Sequence, residues 1–311
     1  MSKRFGQAAT PAEQALEQAI DKVDGWSELD IHYRPVSGGI SNTNWKIDLP
    51  DGRSFFAKIP GRGTEMFVDR YAAHDASVTA GECGVSAKVH CFIESLGVEI
   101  FEFLDGYRAS SNADFLEPTI RQNAALAFRH FHQQPALSLT KTIFDQADEH
   151  MAQVADLDGY TPPDSVWIRR QYEHARAALQ AAGIDLAPCL NDNLAGNFML
   201  NSDRDVLLVD FEYASNNDPL YDLALWFGEM FFEPEVEHEI IEAYFGEVTS
   251  QMLARIYIYR ALADVKWSNW AWVQRQISTL AFDFHKYGVW KHLRARGLMQ
   301  DARWVWALNH V

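Results

Sequence analysis

The sequence predicts an α+β chain of two lobes. A β-rich N-terminal lobe with one internal helix spans residues 1–104, and a mainly helical C-terminal lobe spans residues 105–311. Three observations carry this expectation. The 311 residues are enough for about two separately packed cores. Runs rich in β-branched and aromatic residues, punctuated by turns, fill residues 31–60 and 88–103. After Leu104-Asp105-Gly106, long amphipathic patterns take over.

Thr10-Pro11-Ala12-Glu13 has the form of a capping box with proline at the first helical position, opening a helix through about Val23. Three strands follow, near Ile31–Val36, Trp45–Leu49 and Ser54–Ile59. The segment Ser37–Asn44 joins the first two, and the turn Pro50-Asp51-Gly52-Arg53 joins the last two. A helix is expected over 65–82, then a hairpin over 88–103 turning at Ser95–Gly97. The C-terminal lobe should hold helices at 117–133, 142–155 and 164–182. One short β stretch interrupts them, Asn197–Leu200 with Val206–Asp210, and the pattern is helical again from Tyr221.

Composition narrows the function. There are 27 Lys and Arg against 43 Asp and Glu, a formal net charge of -16, which argues against nucleic acid because phosphate binding needs a basic face. The same field would attract a small cation, although acidic surfaces also serve solubility. Three cysteines without a CxxC spacing argue against a disulfide framework and fit a cytoplasmic setting. The N-terminus lacks the apolar segment of a signal peptide, and no membrane-spanning run is present. Six of the ten tryptophans fall in the last 45 residues: Trp267, Trp270, Trp272, Trp290, Trp304 and Trp306.

The strongest chemical signal is Asp192-Asn193-Leu194-Ala195-Gly196-Asn197 followed by Leu207-Leu208-Val209-Asp210-Phe211. An Asp-x4-Asn loop, a turn and an apolar strand ending in Asp-Phe is the spacing of protein-kinase-like catalytic loops. The first Asp must face the acceptor hydroxyl, the Asn must turn back toward a metal, and the second Asp must meet metal and phosphates. Asx-rich turns also produce Asp-x4-Asn, so the continuation carries the weight. Between two expected strands, Ser37-Gly38-Gly39-Ile40-Ser41-Asn42 offers backbone N–H groups to phosphates, or is an ordinary hairpin turn. Lys58 in Phe55-Phe56-Ala57-Lys58 is placed like the strand lysine of kinases. Trp267 and Trp270, three apart, share a helix face, as do many core-packing aromatic pairs.

In this order, over nearly the whole chain, these segments resemble the aminoglycoside phosphotransferase/choline kinase family, and within it the bacterial choline/ethanolamine kinases. The likeness rests on Ser37–Asn42, on Lys58-Ile59-Pro60-Gly61-Arg62-Gly63-Thr64-Glu65, on Asn191-Asp192 with Gly196-Asn197 and Asp210-Phe211-Glu212-Tyr213-Ala214, and on Trp267-Ser268-Asn269-Trp270 with Gln274, Ile277-Ser278 and Tyr287. The resemblance implies a bilobal protein-kinase-like fold and transfer of a phosphoryl group from ATP, with Mg²⁺, to choline or a related amino alcohol. It implies Asp192 as base, Asn197 and Asp210 as metal ligands, and Lys58 at the phosphates. Ser37, Gly38, Gly39, Ser41 and Asn42 would form the nucleotide loop, and Phe103, Leu104 and Asp105 the adenine hinge. An ammonium pocket is implied from Glu212, Tyr213, Glu229, Trp267, Trp270 and Tyr287, and Asp222 as a support of the catalytic loop. The other four C-terminal tryptophans are expected to pack in the core.

Two departures stand out. The family usually has a scaffold His two residues before the catalytic Asp, where this chain has Leu190. Kinases pair the strand Lys with a helix Glu, but the expected position falls near Ala73, with Glu65 and Asp75 the nearby carboxylates. Two alternatives therefore stay open: the same chemistry on another small alcohol such as thiamine or an aminoglycoside, and a catalytically weak nucleotide-binding pseudoenzyme.

Overall fold

A computed structural model describes residues 2–38, 42–61 and 63–311. The N-terminal part is a six-stranded antiparallel sheet flanked by helices. Strand β1 (Lys3–Arg4) leads to helix α1 (Pro11–Ile20), then β2 (His32–Val36), β3 (Asn42–Asp48) and β4 (Ser54–Pro60). Helix α2 (Arg70–Glu82) precedes the hairpin β5 (Val89–Ile93) and β6 (Val98–Glu102). The strand order is β1-β2-β3-β4-β6-β5. The expected capping box is present: the Glu13 amide donates to Thr10 Oγ1 (3.3 Å) and the Thr10 amide to Glu13 Oε2 (3.0 Å). Helix α2 begins five residues later than expected, because Thr64–Met66 form a separate 3₁₀ turn and Asp69 caps the helix proper.

Alternation along β4 sends Phe55, Ala57 and Ile59 into a core with Trp26, Trp45, Ile47 and Ile100, which leaves Lys58 on the opposite face. That face looks toward the helical part. Helix α2 belongs to both regions, since its Ala76 and Ala80 pack into the larger C-terminal core.

The C-terminal part opens with β7 (Arg108–Ala109), then helices α3 (Pro118–His132), α4 (Ile143–Asp156) and α5 (Ser165–Ala182). Strands β8 (Ala187–Cys189), β9 (Phe198–Leu200), β10 (Val206–Leu208) and β11 (Ser215–Asn217) follow, and helices α6 (Pro219–Met230), α7 (Pro234–Phe245), α8 (Ser250–Ile277), α9 (Phe284–Gln300) and α10 (Ala302–Leu308) complete the chain. The β9–β10 hairpin is the short β stretch expected from sequence, extended by β7 into three strands, while β8 and β11 pair separately. Helix α8 is buried along most of its length, including its polar Arg255, Asp264, Lys266, Ser268 and Gln274. No helix among the described residues is long and apolar enough to cross a membrane. Cys83, Cys91 and Cys189 are free thiols.

One expectation about the tryptophans needs correction. Trp272 and Trp304 are core residues, but Trp290 is 57% exposed and Trp306 is 38% exposed. Both lie on outward faces of the last two helices, and Trp306 stacks on His310 at 4.9 Å instead.

Buried His150 on α4 lies between Gln153, 2.9 Å from its Nδ1, and the Phe67 ring. Burial first, and the charge of Lys266 next, push its imidazole down to about 3. The unfolded chain takes up this proton below about pH 6.5 and the folded chain does not. Stability should therefore fall between pH 6.5 and pH 3, by about 4 kcal/mol from this residue at the acid end. Urea titrations of His150→Gln should show a shallower acid loss than the parent; equal slopes would remove His150 as the source.

Candidate active site

The Asp192–Asn197 loop crosses the face of the helical part that looks toward the sheet, and its shape is set by buried polar contacts. Asp222, in the first turn of α6, has no exposed surface and accepts from the Leu190 amide at 2.7 Å and the Asn191 amide at 2.8 Å. Asn191 takes a left-handed backbone conformation (φ 62°), which asparagine tolerates better than most residues. Its side chain donates to the Tyr213 carbonyl (2.8 Å) and to Ser215 Oγ (2.9 Å), and accepts from Asn217 (2.9 Å). Asn193 donates to the Asp222 carbonyl at 2.7 Å. At the far end, Asn197 Nδ2 donates to the Asp192 carbonyl (2.7 Å), closing the loop on itself.

Leu190, where a scaffold His was expected, is fully buried in the apolar core. An imidazole reaches the same support from elsewhere. His132, at the end of α3, places Nε2 3.1 Å from Asp222 Oδ2 and Nδ1 2.7 Å from the Tyr244 hydroxyl. The loop is thus held without a His at position 190. Cys189 lies within 4.8 Å of these two groups. Burial first, then the charges of Asp222 and Asp218, push its thiol well up. The Asp222 oxygens are committed to amides and imidazole, and the cluster is a hydrogen-bonded support.

Asp210 follows β10 in another left-handed conformation (φ 70°), and Phe211 turns inward to pack on Phe131 at 5.2 Å. This turn brings Asp210 and Glu212 out toward the sheet. Lys58 Nζ lies 2.5 Å from Asp210 Oδ1 and 3.3 Å from Glu212 Oε1. Burial pulls the Lys58 amine down, but the charges of Asp210 and Glu212 outweigh it and hold the amine above its ordinary value. Glu212 Oε1 also receives Arg70 Nη1 at 2.5 Å and Asn42 Nδ2 at 3.1 Å. Burial acts to raise the Glu212 carboxyl; Lys58 and Arg70 prevail and lower it.

These contacts correct the assignment of Glu212 to the ammonium pocket. Its cationic partners are Lys58 and Arg70, so it lies on the sheet side of the site. They also account for the helix carboxylate not found near Ala73. Helix α2 presents Arg70 rather than Glu, Ala73 lines a small cavity beside Lys58, and the carboxylate comes from Glu212. Asp75 instead accepts from the Ser138 amide at 2.8 Å. The charge order of the usual lysine–glutamate pair is kept by exchanging which element carries which sign.

Of the expected nucleotide loop, Gly39 and Ser41 lie outside the described residues. Gly38 has φ 128°, open chiefly to glycine, and its carbonyl accepts from Asn44 Nδ2 at 2.9 Å. Ser37 follows β2, and Asn42 opens β3. Phe103, Leu104 and Asp105 form the turn after β6. The Phe103 amide donates to the Ser54 carbonyl (3.1 Å), and Lys46 sits 4.4 Å above the Phe103 ring.

An aromatic cluster borders Asp192. Tyr213 meets Trp267 edge to face at 5.4 Å, Trp267 meets Trp270 at 5.4 Å, and Trp270 Nε1 donates to the Tyr213 hydroxyl at 2.8 Å. Tyr287 comes from α9, after the break at Ser278–Asp283, with its ring 6.1 Å from that of Trp270. Burial, then the Asp192 charge, pushes the Tyr213 phenol well up; burial, then Glu229 and Asp192, does the same to Tyr287. Glu229 stands beside this cluster but pairs with Lys291 and lies 3.5 Å from Arg294, so it is not a free counter-charge. Asp192 itself is raised by burial first and by the charge of Asp210 second.

Sequence reasoning missed Arg70, His132, Lys291 and, most of all, Lys266. The signal for Lys266 was present: Asp264 and Lys266 interrupt an otherwise apolar helical run, where an unpaired charge is costly.

Oxygen donors from Asn197 and Asp210 suit a hard divalent cation such as Mg²⁺. Because Asn197 Nδ2 is tied to the loop, its Oδ1 is the atom left to face a metal.

Residues 33–244 match the choline/ethanolamine kinase family model. The chain is 24% identical over 312 aligned positions to a choline/ethanolamine kinase of Rattus norvegicus, covering 83% of this chain and 78% of the relative. It is likewise 24% identical over 274 positions to protein LicA of Haemophilus influenzae, covering 80% and 76%. Among solved structures, a choline/ethanolamine kinase family protein of Mesorhizobium loti superposes with a TM-score of 0.82 at 24% identity, over 95% of this chain and 98% of that one. Choline kinase LicA of Streptococcus pneumoniae gives 0.78 at 21%, over 94% and 100%. A LicA structure in complex with AMP gives 0.76 at 22%, over 93% and 99%.

The loop geometry makes Asp222 its keystone. Asp222→Ala should destabilise the fold by about 3 kcal/mol, since two buried amides and an imidazole lose their acceptor. Hydrogen exchange at the Leu190 and Asn191 amides should accelerate more than elsewhere; uniform acceleration would mean no special role in the loop. A bilobal kinase-like fold, an Asp-x4-Asn loop held by Asp222, and a family match across more than half of its length together place this chain in the choline/ethanolamine kinase family, whose members are phosphotransferases with an alcohol acceptor.

Proposed function

We propose that this protein transfers the γ-phosphoryl group of ATP to the hydroxyl of choline or ethanolamine. The observation that carries the reading is a packed aromatic wall, Tyr213, Trp267, Trp270 and Tyr287, with Asp192 near enough for its charge to bear on Tyr213 and Tyr287. A cationic head group is held by π-faces and carboxylates, and a hydroxyl two carbons away then falls to the carboxylate. A LicA of the same fold has been solved in complex with AMP, which supports use of an adenine nucleotide.

Residues 1–104 would carry the nucleotide and residues 105–311 the acceptor and the chemistry. Asp192 would accept the hydroxyl proton. Burial and the nearby Asp210 raise its proton affinity, which suits a general base. Asn197 and Asp210 would hold Mg²⁺, which when bound neutralises phosphate charge. Lys58, kept charged between Asp210 and Glu212, would meet the α- and β-phosphates, and the segment Ser37–Asn42 would cover them with backbone N–H groups. Adenine would lie against Phe103, Leu104 and Asp105. Transfer of this kind depends on positioning and charge neutralisation, so these few groups suffice.

Release of ADP should be measured with Mg²⁺, ATP and, separately, choline, ethanolamine, thiamine and kanamycin. Turnover on the first two is expected. Turnover confined to thiamine or kanamycin would move the substrate class, and none at all with retained ATP binding would favour the pseudoenzyme alternative. Asp192→Asn should lower kcat about 1000-fold while sparing ATP affinity. Trp270→Leu should raise KM for the amino alcohol about tenfold with little change in KM for ATP; equal effects on both would remove Trp270 from the acceptor site.

A further inference from the structure

Lys266 has no exposed surface, and its ammonium has no hydrogen-bond partner among the described residues. A lysine buried this way ordinarily finds a carboxylate or a carbonyl. Here Nζ lies 3.4 Å from the centroid of the Trp267 ring and 4.5 Å from that of Tyr213. These are two of the four rings in the proposed acceptor wall. An ammonium on π-faces, without N–H bonds and with carboxylate charge nearby, is the arrangement that recognises a quaternary ammonium ligand. The chain supplies that cation itself.

The charged groups that reach Lys266 come from several elements. Burial first pulls the Lys266 amine down to about 7; the charges of Asp192 and Asp222 oppose that pull, while those of Lys141 and Lys291 add to it. Its own charge in turn depresses His150 on α4. A cation brought onto the Trp267 and Tyr213 rings, on either face, would come close to the Lys266 ammonium and be repelled by it, strongly where water is excluded. Cationic acceptors differ in how they escape it. A primary amine keeps N–H donors for Asp192 or a ring hydroxyl and can shed its proton. A quaternary ammonium has neither option.

Resting on the kinase reading above, we propose that Lys266 is a specificity-determining residue: a tethered cation on Trp267 and Tyr213 that disfavours quaternary ammonium acceptors and turns the site toward primary amino alcohols. The wild-type enzyme then prefers ethanolamine over choline. The Lys at this position, rather than the aromatic wall, sets that preference.

The test, run below about pH 7 so that the Lys266 amine carries its proton, compares wild type with Lys266→Met, Lys266→Gln and Lys266→Arg. Thermal melting first verifies folding, and Lys266→Met should melt no lower than wild type because an unpartnered buried ammonium has gone, whereas Lys266→Gln buries an unpartnered amide in its place. Steady-state kinetics with ethanolamine and with choline should show wild-type kcat/KM favouring ethanolamine, and the neutral variants should lower KM for choline by about tenfold or more while KM for ATP stays constant. Lys266→Arg, which keeps the charge, should not produce this gain. Independently of turnover, quenching of tryptophan fluorescence by tetramethylammonium chloride should report tighter binding in the neutral variants by a similar factor. Choline and tetramethylammonium affinities that stay within about twofold of wild type would overturn the proposal. So would a wild-type preference for choline, which stands as a test even if the neutral variants do not fold. If no form turns over either acceptor but tetramethylammonium binding shifts as stated, the kinase reading fails and the role of Lys266 stands. Turnover without any shift has the opposite meaning.

Discussion

The candidate active site depends on one buried carboxylate. Asp222 receives two consecutive backbone amides, from Leu190 and Asn191, and faces the His132 imidazole. Backbone amides in a loop have no strand or helix to satisfy them, and an unsatisfied buried amide costs about 1–3 kcal/mol. A carboxylate at the start of α6 meets both at once, and its place in the first turn favours its negative charge. Everything presented by the loop inherits this anchoring. Asp192 is aimed because Asn191 cannot move, and Asn197 is aimed because its side chain is tied back to the Asp192 carbonyl.

A second constraint joins the sheet to the helical part. Lys58 and Arg70 reach across to Asp210 and Glu212, so that two cations and two carboxylates alternate through the cleft. The alternation explains how a strand lysine can be held without a carboxylate on the neighbouring helix. Arg70 occupies that helix, and the missing negative charge is returned by the residue two after Asp210. The whole-chain excess of acid had suggested attraction of a cation. The local picture is more balanced: Glu212 and Glu229 both pair with basic side chains, and Lys266 stands among the aromatic rings.

The proposed acceptor side is built differently. Its wall comes from α8, α9 and the residues after Asp210, and it is fixed by ring packing and the Trp270–Tyr213 hydrogen bond. Gly288, next to Tyr287, leaves room for the Trp272 indole, which any side chain at that position would displace. Core packing and the proposed ligand contacts therefore draw on the same aromatic residues, which is why spacing on the helix could not separate them.

Local signals in the sequence settle much of this protein. The capping box at Thr10, the alternation of β4 and the Asp-x4-Asn loop with its returning strand are short-range patterns, and each formed where expected because the determining residues are neighbours in sequence. Tertiary structure alone decided the partners. Residue 132 replaces a residue at 190, residue 70 takes the place of a carboxylate near 73, and Glu212 turns to Lys58 rather than to the aromatic wall. Trp290 and Trp306 ended on outward faces although their composition argued for the core. Such pairings join elements that are far apart along the chain, and the free energy of a charge depends on its nearest opposite charge and on the water it has lost. Lys266 shows the limit most clearly. Sequence could mark it as a charge inside an apolar helix, but only the packing of Tyr213 against Trp267 determined that its partner would be a pair of rings.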